Sequence, residues 1–134
     1  MPHVPQLRLV GRGLLVTGFW YLATPYTRHP RGVEAAHMEA CAAAAICFRA
    51  GVQVFAPIPH THNIAVIGQI AGHFDQWAAF DEIMIRASIG VIVVTMDGWR
   101  ESTGVNAEIT LAIRLRKPVL YMPPDGPPPT EALP

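Results

Sequence analysis

The sequence has no excess of charge of either sign, because ten lysine and arginine residues balance ten aspartate and glutamate residues in a chain of 134. A neutral chain lacks the basic surface that attracts the phosphate backbone of nucleic acids or an anionic membrane. We therefore expect neither a nucleic acid polymer nor a membrane as a partner. Any phosphate that the protein binds is expected to belong to a small ligand.

Cysteine is scarce as well. The two cysteines, Cys41 and Cys47, both fall in one predicted helix. Their spacing points them to different sides of that helix, which argues against a disulfide between them. We expect two reduced thiols in or near the core. The sequence has neither a Cys-x-x-Cys pair nor the Cys/His spacing of a structural zinc site.

Long apolar runs are missing too. The N-terminal stretch "MPHVPQLRLVGRG" is not followed by the apolar segment and cleavage site of a signal peptide. The run "LLVTGFWYLA" is shorter than the roughly 20 residues that a membrane-spanning helix needs. These features predict a soluble cytoplasmic protein.

What the sequence does contain is a regular alternation of strand and helix patterns. Helices are predicted over residues 33–50, 74–87 and 105–116, where apolar or alanine-rich positions recur at helical spacing. Strands are predicted at "GLLVTGFWYLA", "VQVFAP", "IGVIVVTM" and "KPVLYM". The stretch "IPHTHNIAVIGQIAGH" is interpreted as a long connection with at most a short helical turn.

This alternation predicts an open parallel α/β sheet with strand order 2-1-3-4 and helices on both faces. Residues 1–122 are expected to form a single domain. Residues 123–134 are expected to be a proline-rich C-terminal tail, extended or disordered. In such a sheet, the first and third strands meet at the switch point where ligands bind.

Two segments follow those switch-point strands, "YLATPYTRHPRG" and "MDGWRESTGVNAEI". We expect the candidate binding residues of the two segments to face each other across one crevice: Tyr21, Thr24, Thr27 and Arg28 on one side, and Asp97, Ser102, Thr103 and Glu108 on the other. Neither segment has the GxGxxG fingerprint or a P-loop, so a large nucleotide cofactor is not indicated. Of the three tryptophans, Trp20, Trp77 and Trp99, any could line a pocket or simply pack in the core.

Ser102, Thr103 and Gly104 open the last predicted helix. Free backbone N–H groups and the helix dipole make such a terminus a natural anion site. Ser102 or Thr103 is equally well explained as an ordinary N-cap, and one residue can serve both purposes.

Two carboxylates border apolar helix faces. Glu108 lies near Val105 and Ala112, and the positive helix end is expected to favour its ionised form, which suits a nucleophile. The alternative is an exposed helix glutamate. Asp81 falls on an apolar stripe, where desolvation raises a pKa and suits a proton donor. Asp75 and Glu82 are the alternatives, on the polar side.

Three histidines, His60, His62 and His73, raise the possibility of a zinc site. No strand pattern holds the His-x-His pair, and no fixed spacing connects it to His73. We therefore expect no metal, and interpret these residues as histidines near a ligand pocket.

The stretches "YLATPY", "FDEIMI" followed by "IGVIVV", and "DGWRESTGVNAEITLA" form a recognisable set. They resemble the nucleoside 2-deoxyribosyltransferase superfamily, which includes the 2′-deoxynucleoside 5′-phosphate N-hydrolases, over about residues 14–122. The longer pattern "FAPIPHTHNIA…FDQWAAFDEIMI…MDGWRESTGV" resembles a bacterial and phage branch of it. The resemblance implies a flavodoxin-like (Rossmann-like) fold, a homodimer or larger homo-oligomer, and no metal or organic cofactor.

The resemblance also implies roles for individual residues. Glu108 matches the glutamate that attacks C1′ of the sugar, Tyr21 the tyrosine that positions it, and Asp81 the aspartate that handles the proton of the base. Ser102 stands where the transferases carry an aspartate and the monophosphate hydrolases a serine. Thr24 and Pro25 replace the glycine and serine of the hydrolases' first loop, which is a departure from that pattern.

The expected function is hydrolysis of the N-glycosidic bond of a nucleoside 5′-monophosphate, with a deoxynucleotide as the expected substrate. The alternative is a nucleoside 2-deoxyribosyltransferase that exchanges bases on free nucleosides. A third possibility is a nucleotide-binding module without catalytic activity.

Overall fold

Four parallel strands form the central sheet of the protein, as a computed structural model shows. The structure describes residues 8–10, 14–16, 18–70 and 74–134. The strands are β3 (Trp20–Ala23), β4 (Val54–Phe55), β5 (Val91–Val94) and β6 (Val119–Met122), after β1 (Arg8–Val10) and β2 (Leu14–Val16). Their order is β4-β3-β5-β6, and every neighbouring pair is parallel. This confirms the predicted open α/β sheet with order 2-1-3-4, consistent with a flavodoxin-like fold.

The first predicted strand is divided in the structure. Strands β1 and β2 pair with each other antiparallel in a separate two-stranded sheet, and β3 alone enters the central sheet. The prediction of one strand over residues 13–23 was therefore too long. Gly13 and Thr17, at the ends of β2, lie outside the described residues.

The helices are α1 (Val33–Arg49), α2 (Pro57–Gly68), α3 (Phe74–Ala87) and α4 (Thr103–Arg114). Three were predicted, but the stretch interpreted as a connection forms the 12-residue helix α2. Its two prolines, Pro57 and Pro59, stand in the first turn, where backbone N–H groups have no partner within a helix. Proline there is compatible with a helix, so the interpretation of this stretch as a connection was wrong.

Alternating residues of β3 point to opposite faces of the sheet. Trp20 and Leu22 join a core cluster that includes Ala43 and Cys47 of α1. Tyr21 and Ala23 join a second cluster with residues of α3 and α4, including Ile85 and Val105. The strand period therefore turns the Tyr21 ring toward α4.

The two cysteines carry free thiols, as predicted. Cys47 is buried in the first core cluster, and this burial raises the pKa of its thiol to about 11. Cys41 is only partly buried. Among the described residues, no helix is long and apolar enough to cross a membrane.

The proline-rich tail has a defined path along the domain. It contains a short 3-10 helix, Thr130–Ala132, and Ala132 packs against the first core cluster. Gly126 approaches α1 so closely that a β-carbon would lie 2.9 Å from Cγ2 of Ile46. The tail thus covers part of α1, which the expectation of an extended or disordered segment did not include.

Gly90 permits the close packing that precedes β5. A β-carbon there would lie 2.5 Å from the Pro118 carbonyl oxygen and 2.8 Å from Cζ3 of Trp20. Gly90→Ala is therefore expected to reduce the free energy of unfolding by about 2–4 kcal/mol, measured by urea denaturation. Gly68→Ala is the matched control, because its β-carbon would lie 3.5 Å from the Ile70 side chain, an ordinary contact. Equal stability of both variants would contradict this packing argument.

Candidate active site

Glu108 is the centre of the candidate site. It lies in α4 on the same buried side as Val105 and Ala112, and only 7% of it is exposed. The hydroxyl of Tyr21, which is fully buried, donates a hydrogen bond to Oε2 of Glu108. The helical spacing turns the carboxyl inward, and β3 supplies the donor that meets it. The exposed-glutamate alternative is therefore excluded.

Burial controls the protonation of Glu108. It raises the pKa of the carboxyl to about 8, while the Tyr21 hydrogen bond lowers the pKa and the charge of Asp81 raises it. The expectation that the helix terminus favours the ionised form was wrong. The helix dipole acts mainly within the first turn of α4, and Glu108 lies beyond that turn. Desolvation therefore has the larger effect on the pKa of Glu108.

Asp81 is the second buried carboxyl. It lies one helical turn before the buried Ile85 of α3 and is 9% exposed. Burial raises the pKa of Asp81 to about 6, as predicted, and the nearby Tyr21 hydroxyl partly opposes this rise. Its Oδ1 atom has no hydrogen-bond partner among the described residues. Glu82, by contrast, is exposed and pairs with Arg86 at 3.3 Å.

The Tyr21 hydroxyl lies close enough to both carboxyls for their charges to affect its pKa. Burial and the negative charges of Glu108 and Asp81 raise its pKa well above the ordinary value. The phenol therefore stays protonated and serves as a hydrogen-bond donor. Since Tyr21 donates to Glu108 and the charge of Asp81 raises the pKa of Glu108, the three side chains form a single titrating unit.

Ser102 caps α4. Its Oγ accepts a hydrogen bond from the N–H of Val105 at 3.1 Å, and the side chain is buried. The N-cap interpretation is thus confirmed. Thr103 and Gly104 are the first two residues of α4, and both line a pocket together with Glu108. They bring the first backbone N–H groups of the helix to this pocket.

A pocket opens over Asp81 and Glu108 at the carboxyl ends of β3 and β5. Seven predicted residues line it: Thr24, Thr27, Asp81, Ser102, Thr103, Gly104 and Glu108. Tyr21 lies behind them, in contact with Glu108. The hydroxyl of Thr24 is buried in the pocket wall without a partner among the described residues. A lining with unpaired polar atoms is suited to a polar ligand.

Arg28 and Asp97 do not line this pocket. Both are exposed, and the carboxylate of Asp97 lies 3.6 Å from the guanidinium of Arg31. Backbone contact between their loops explains this placement. Gly98 has φ +91°, and a β-carbon on it would lie 2.4 Å from the Arg28 carbonyl oxygen. The two loops are in contact through their backbones, so these side chains lie on the outside.

Helix α2 supplies the part of the lining that sequence reasoning missed. Its pocket residues are Pro57, Ile58, Thr61, His62 and Ala65. The spacing of four between Pro57, Thr61 and Ala65 was the available signal, but it has meaning only once the segment is known to be helical. Tyr26 was also missed, and Trp77 lines the pocket while Trp20 packs in the core.

Within the described part of the chain, no group of three or more His, Cys, Asp or Glu side chains is placed to hold a metal ion. His60 is exposed and packs edge-on against Phe55. His62 is buried and bonded to Tyr26 and Glu34. His73 lies outside the described residues.

These features define an open-sheet α/β protein with a pocket at the topological switch point, and two buried carboxyl groups line that pocket. Residues 18–123 match the model of a family described as "Domain of unknown function (DUF1937)". The match covers most of the chain, so the protein belongs to the DUF1937 family. No curated protein matches it.

Proposed function

We propose that the protein is an N-glycosidase that hydrolyses the bond between the base and C1′ of a nucleoside 5′-monophosphate. The observation that carries the proposal is the buried Glu108, held by Tyr21 beside Asp81 in the switch-point pocket. The similarity of the motifs to nucleoside 2-deoxyribosyltransferases supports the same assignment. A fixed carboxylate and a nearby proton donor are the two groups that glycosidic cleavage needs.

In the first step, an oxygen of Glu108 forms a bond with C1′ as the bond from C1′ to the base nitrogen breaks. The bonding electrons go to the base, which receives a proton from Asp81. In the second step, the oxygen of a water molecule attacks C1′ and releases Glu108. The water proton returns to Asp81, so the pocket regains its starting state.

This sequence requires one proton on the carboxyl pair. Because burial raises the pKa of Asp81 to about 6 and that of Glu108 to about 8, the pair holds a single proton between these values. The proposed mechanism places that proton on Asp81 and leaves Glu108 as the ionised nucleophile. The Tyr21 hydroxyl donates to Oε2 of Glu108 and so favours the ionised form of this carboxyl.

The amino end of α4 is the proposed site of the 5′-phosphate. Thr103 and Gly104 bring the first backbone N–H groups of the helix to the pocket, and the dipole favours an anion there. The unpartnered Thr24 hydroxyl in the same lining offers a further donor. Arg28 is exposed outside the lining and is not included in this site.

A chromatographic screen tests the proposal. The purified protein is incubated with the common nucleosides and 5′-monophosphates, ribo and deoxy, with and without a free acceptor base. Release of free base from monophosphates alone is expected. New nucleosides formed only with the acceptor would instead establish a deoxyribosyltransferase. Binding without turnover across the panel would establish a non-catalytic nucleotide-binding module.

Ser102→Asp separates phosphate recognition from helix capping. Aspartate is as good an N-cap as serine, so the free energy of unfolding is expected to change by less than about 1 kcal/mol. Its charge repels a phosphate, so the Michaelis constant for monophosphates is expected to rise about tenfold or more, while that for nucleosides changes little. Steady-state kinetics on matched nucleoside and nucleotide pairs measure both.

Ser102→Ala completes this comparison. It removes the cap without adding charge, so it is expected to lower stability by about 1 kcal/mol. If Ser102→Asp changes the Michaelis constants for nucleosides and monophosphates equally, the proposed phosphate site is contradicted.

A further inference from the structure

Three side chains outside the proposed reaction form a hydrogen-bonded chain from the pocket to the surface. The hydroxyl of Tyr26 lies 2.6 Å from Nδ1 of His62, and Nε2 of His62 lies 2.9 Å from Oε1 of Glu34. Tyr26 lines the pocket, His62 is 3% exposed, and the Glu34 side chain is 76% exposed. The chain thus begins at the ligand site and ends in solvent.

The His62 ring is fixed by its neighbours as well as by its hydrogen bonds. The ring of His37 stacks on it with centroids 4.2 Å apart and planes 20° from parallel. Tyr26 meets it edge-on, with centroids 5.7 Å apart. A ring held on two sides keeps Nδ1 directed at Tyr26 and Nε2 directed at Glu34.

The chemistry of the partners sets the direction of each hydrogen bond. A carboxylate only accepts, so Nε2 of His62 carries the hydrogen and donates to Glu34. In a neutral imidazole, Nδ1 is then the acceptor, and the Tyr26 hydroxyl donates to it. Burial and the charge of Glu34 raise the pKa of Tyr26, so the phenol keeps its proton. With its hydrogen committed to His62, the Tyr26 oxygen has only lone pairs left for the pocket.

We propose that Tyr26 is a specificity-determining residue whose hydroxyl oxygen accepts a hydrogen bond from an N–H or O–H group of the bound ligand. His62 and Glu34 are positioning residues that enforce this polarity. Under the proposed function, on which the nature of the ligand rests, two groups of a deoxynucleoside 5′-monophosphate carry such a donor. They are the 3′-hydroxyl of the sugar and an amino or ring N–H group of the base.

The first test needs no ligand. Nitrogen-15 NMR of the imidazoles, at a pH where His62 is neutral, reports which ring nitrogen carries the hydrogen. The Nε2–H form is expected for His62, and Tyr26→Phe is expected to shift its Nδ1 signal while leaving that form in place. A hydrogen on Nδ1 would overturn the inference.

The second test measures discrimination between ligands. Calorimetry with Glu108→Gln protein, which is expected to bind without turnover, compares the tightest-binding common deoxynucleoside 5′-monophosphate with two analogues. One lacks the 3′-hydroxyl, and the other lacks the hydrogen-bond donor of the base. The analogue that loses the partner of Tyr26 is expected to bind about 3- to 10-fold more weakly than the parent. Which analogue weakens identifies the donor.

That difference is expected to disappear in Tyr26→Phe and to persist in Tyr121→Phe, which alters a half-exposed tyrosine outside the pocket. His62→Asn keeps an acceptor near Nδ1 and is expected to retain part of the discrimination, whereas His62→Leu should lose it. If His62 had only a structural role, its substitution would weaken the binding of all ligands equally. Equal discrimination by the Glu108→Gln protein with and without Tyr26→Phe would overturn the proposal.

Failure of the proposed function gives a different result. If no nucleotide or nucleoside binds, the proposed function is contradicted. The NMR measurement of the His62 tautomer then still tests whether the Tyr26 oxygen is a hydrogen-bond acceptor.

Discussion

Glu108→Gln is expected to abolish turnover, with the rate of base release falling by about 10³-fold or more, as when other covalent nucleophiles are removed. The amide keeps the shape of the carboxyl and can still accept the hydrogen bond from Tyr21. It cannot supply the negative charge that stabilises C1′ or form the covalent bond. Chromatography of the released base measures the effect on any substrate that the wild type cleaves.

Glu82→Gln is the matched control for this substitution. Glu82 lies in α3 next to Asp81 in sequence, but it is exposed and outside the pocket lining. We expect it to retain wild-type activity. Circular dichroism and urea unfolding of both variants verify that they fold. A folded Glu108→Gln protein with the wild-type rate would exclude the proposed mechanism.

The stability of the protein is expected to fall as the pH rises from about 4.5 to about 8, because of Glu108. Burial raises the pKa of this carboxyl from 4.5 to about 8, so the folded state holds a proton that the unfolded state releases. Stability is therefore fully present below the unfolded pKa and is lost as pH rises through the folded pKa. The expected contribution is a few kcal/mol.

Asp81 also lowers the stability of the protein as pH rises, but over a lower pH range, because burial raises its pKa from 3.8 to about 6. Urea unfolding at several pH values measures the combined effect. The difference in stability between wild type and Glu108→Gln reports the carboxyl of Glu108 together with its effect on Asp81. It should shift in favour of the variant as pH rises from 4.5 to about 8, the ordinary and the folded-state pKa values of Glu108. Glu82→Gln should follow the wild type throughout. Parallel curves for wild type and Glu108→Gln would show that the pKa of Glu108 is close to its ordinary value.

Much of the fold is readable from the sequence because local and global signals agree. The continuous apolar run around β5 indicates a strand covered on both faces, and Val91 to Val94 are all fully buried. Helix α2 is the exception. Its prolines and histidines have the composition of a loop, and only packing against α1 and β3 reveals its role. The length of the first predicted strand depends on which strands pair with each other. Local strand propensity does not show this pairing.

Helical spacing places Asp81 on an apolar face. It places Glu108 only at the border of one, and the resemblance is what favoured a site residue over an exposed glutamate. The protonation of Glu108 is not readable from the sequence, since it depends on how deeply the carboxyl is buried. The chain from Tyr26 through His62 to Glu34 joins three separate segments, so no spacing rule predicts it. Arg28 and Asp97 stand in the right loops, but the backbone contact at Gly98 places them outside the pocket.

The most direct test of the central claim is to trap the glycosyl-enzyme. The protein is incubated with a 2′-fluoro analogue of the substrate, in which the fluorine slows hydrolysis of the intermediate by destabilising positive charge at C1′. Mass spectrometry of the digested protein then locates the adduct. A sugar adduct on the peptide that contains Glu108, absent from Glu108→Gln, is the predicted result. Base release without any adduct, or an adduct on another residue, would contradict the account.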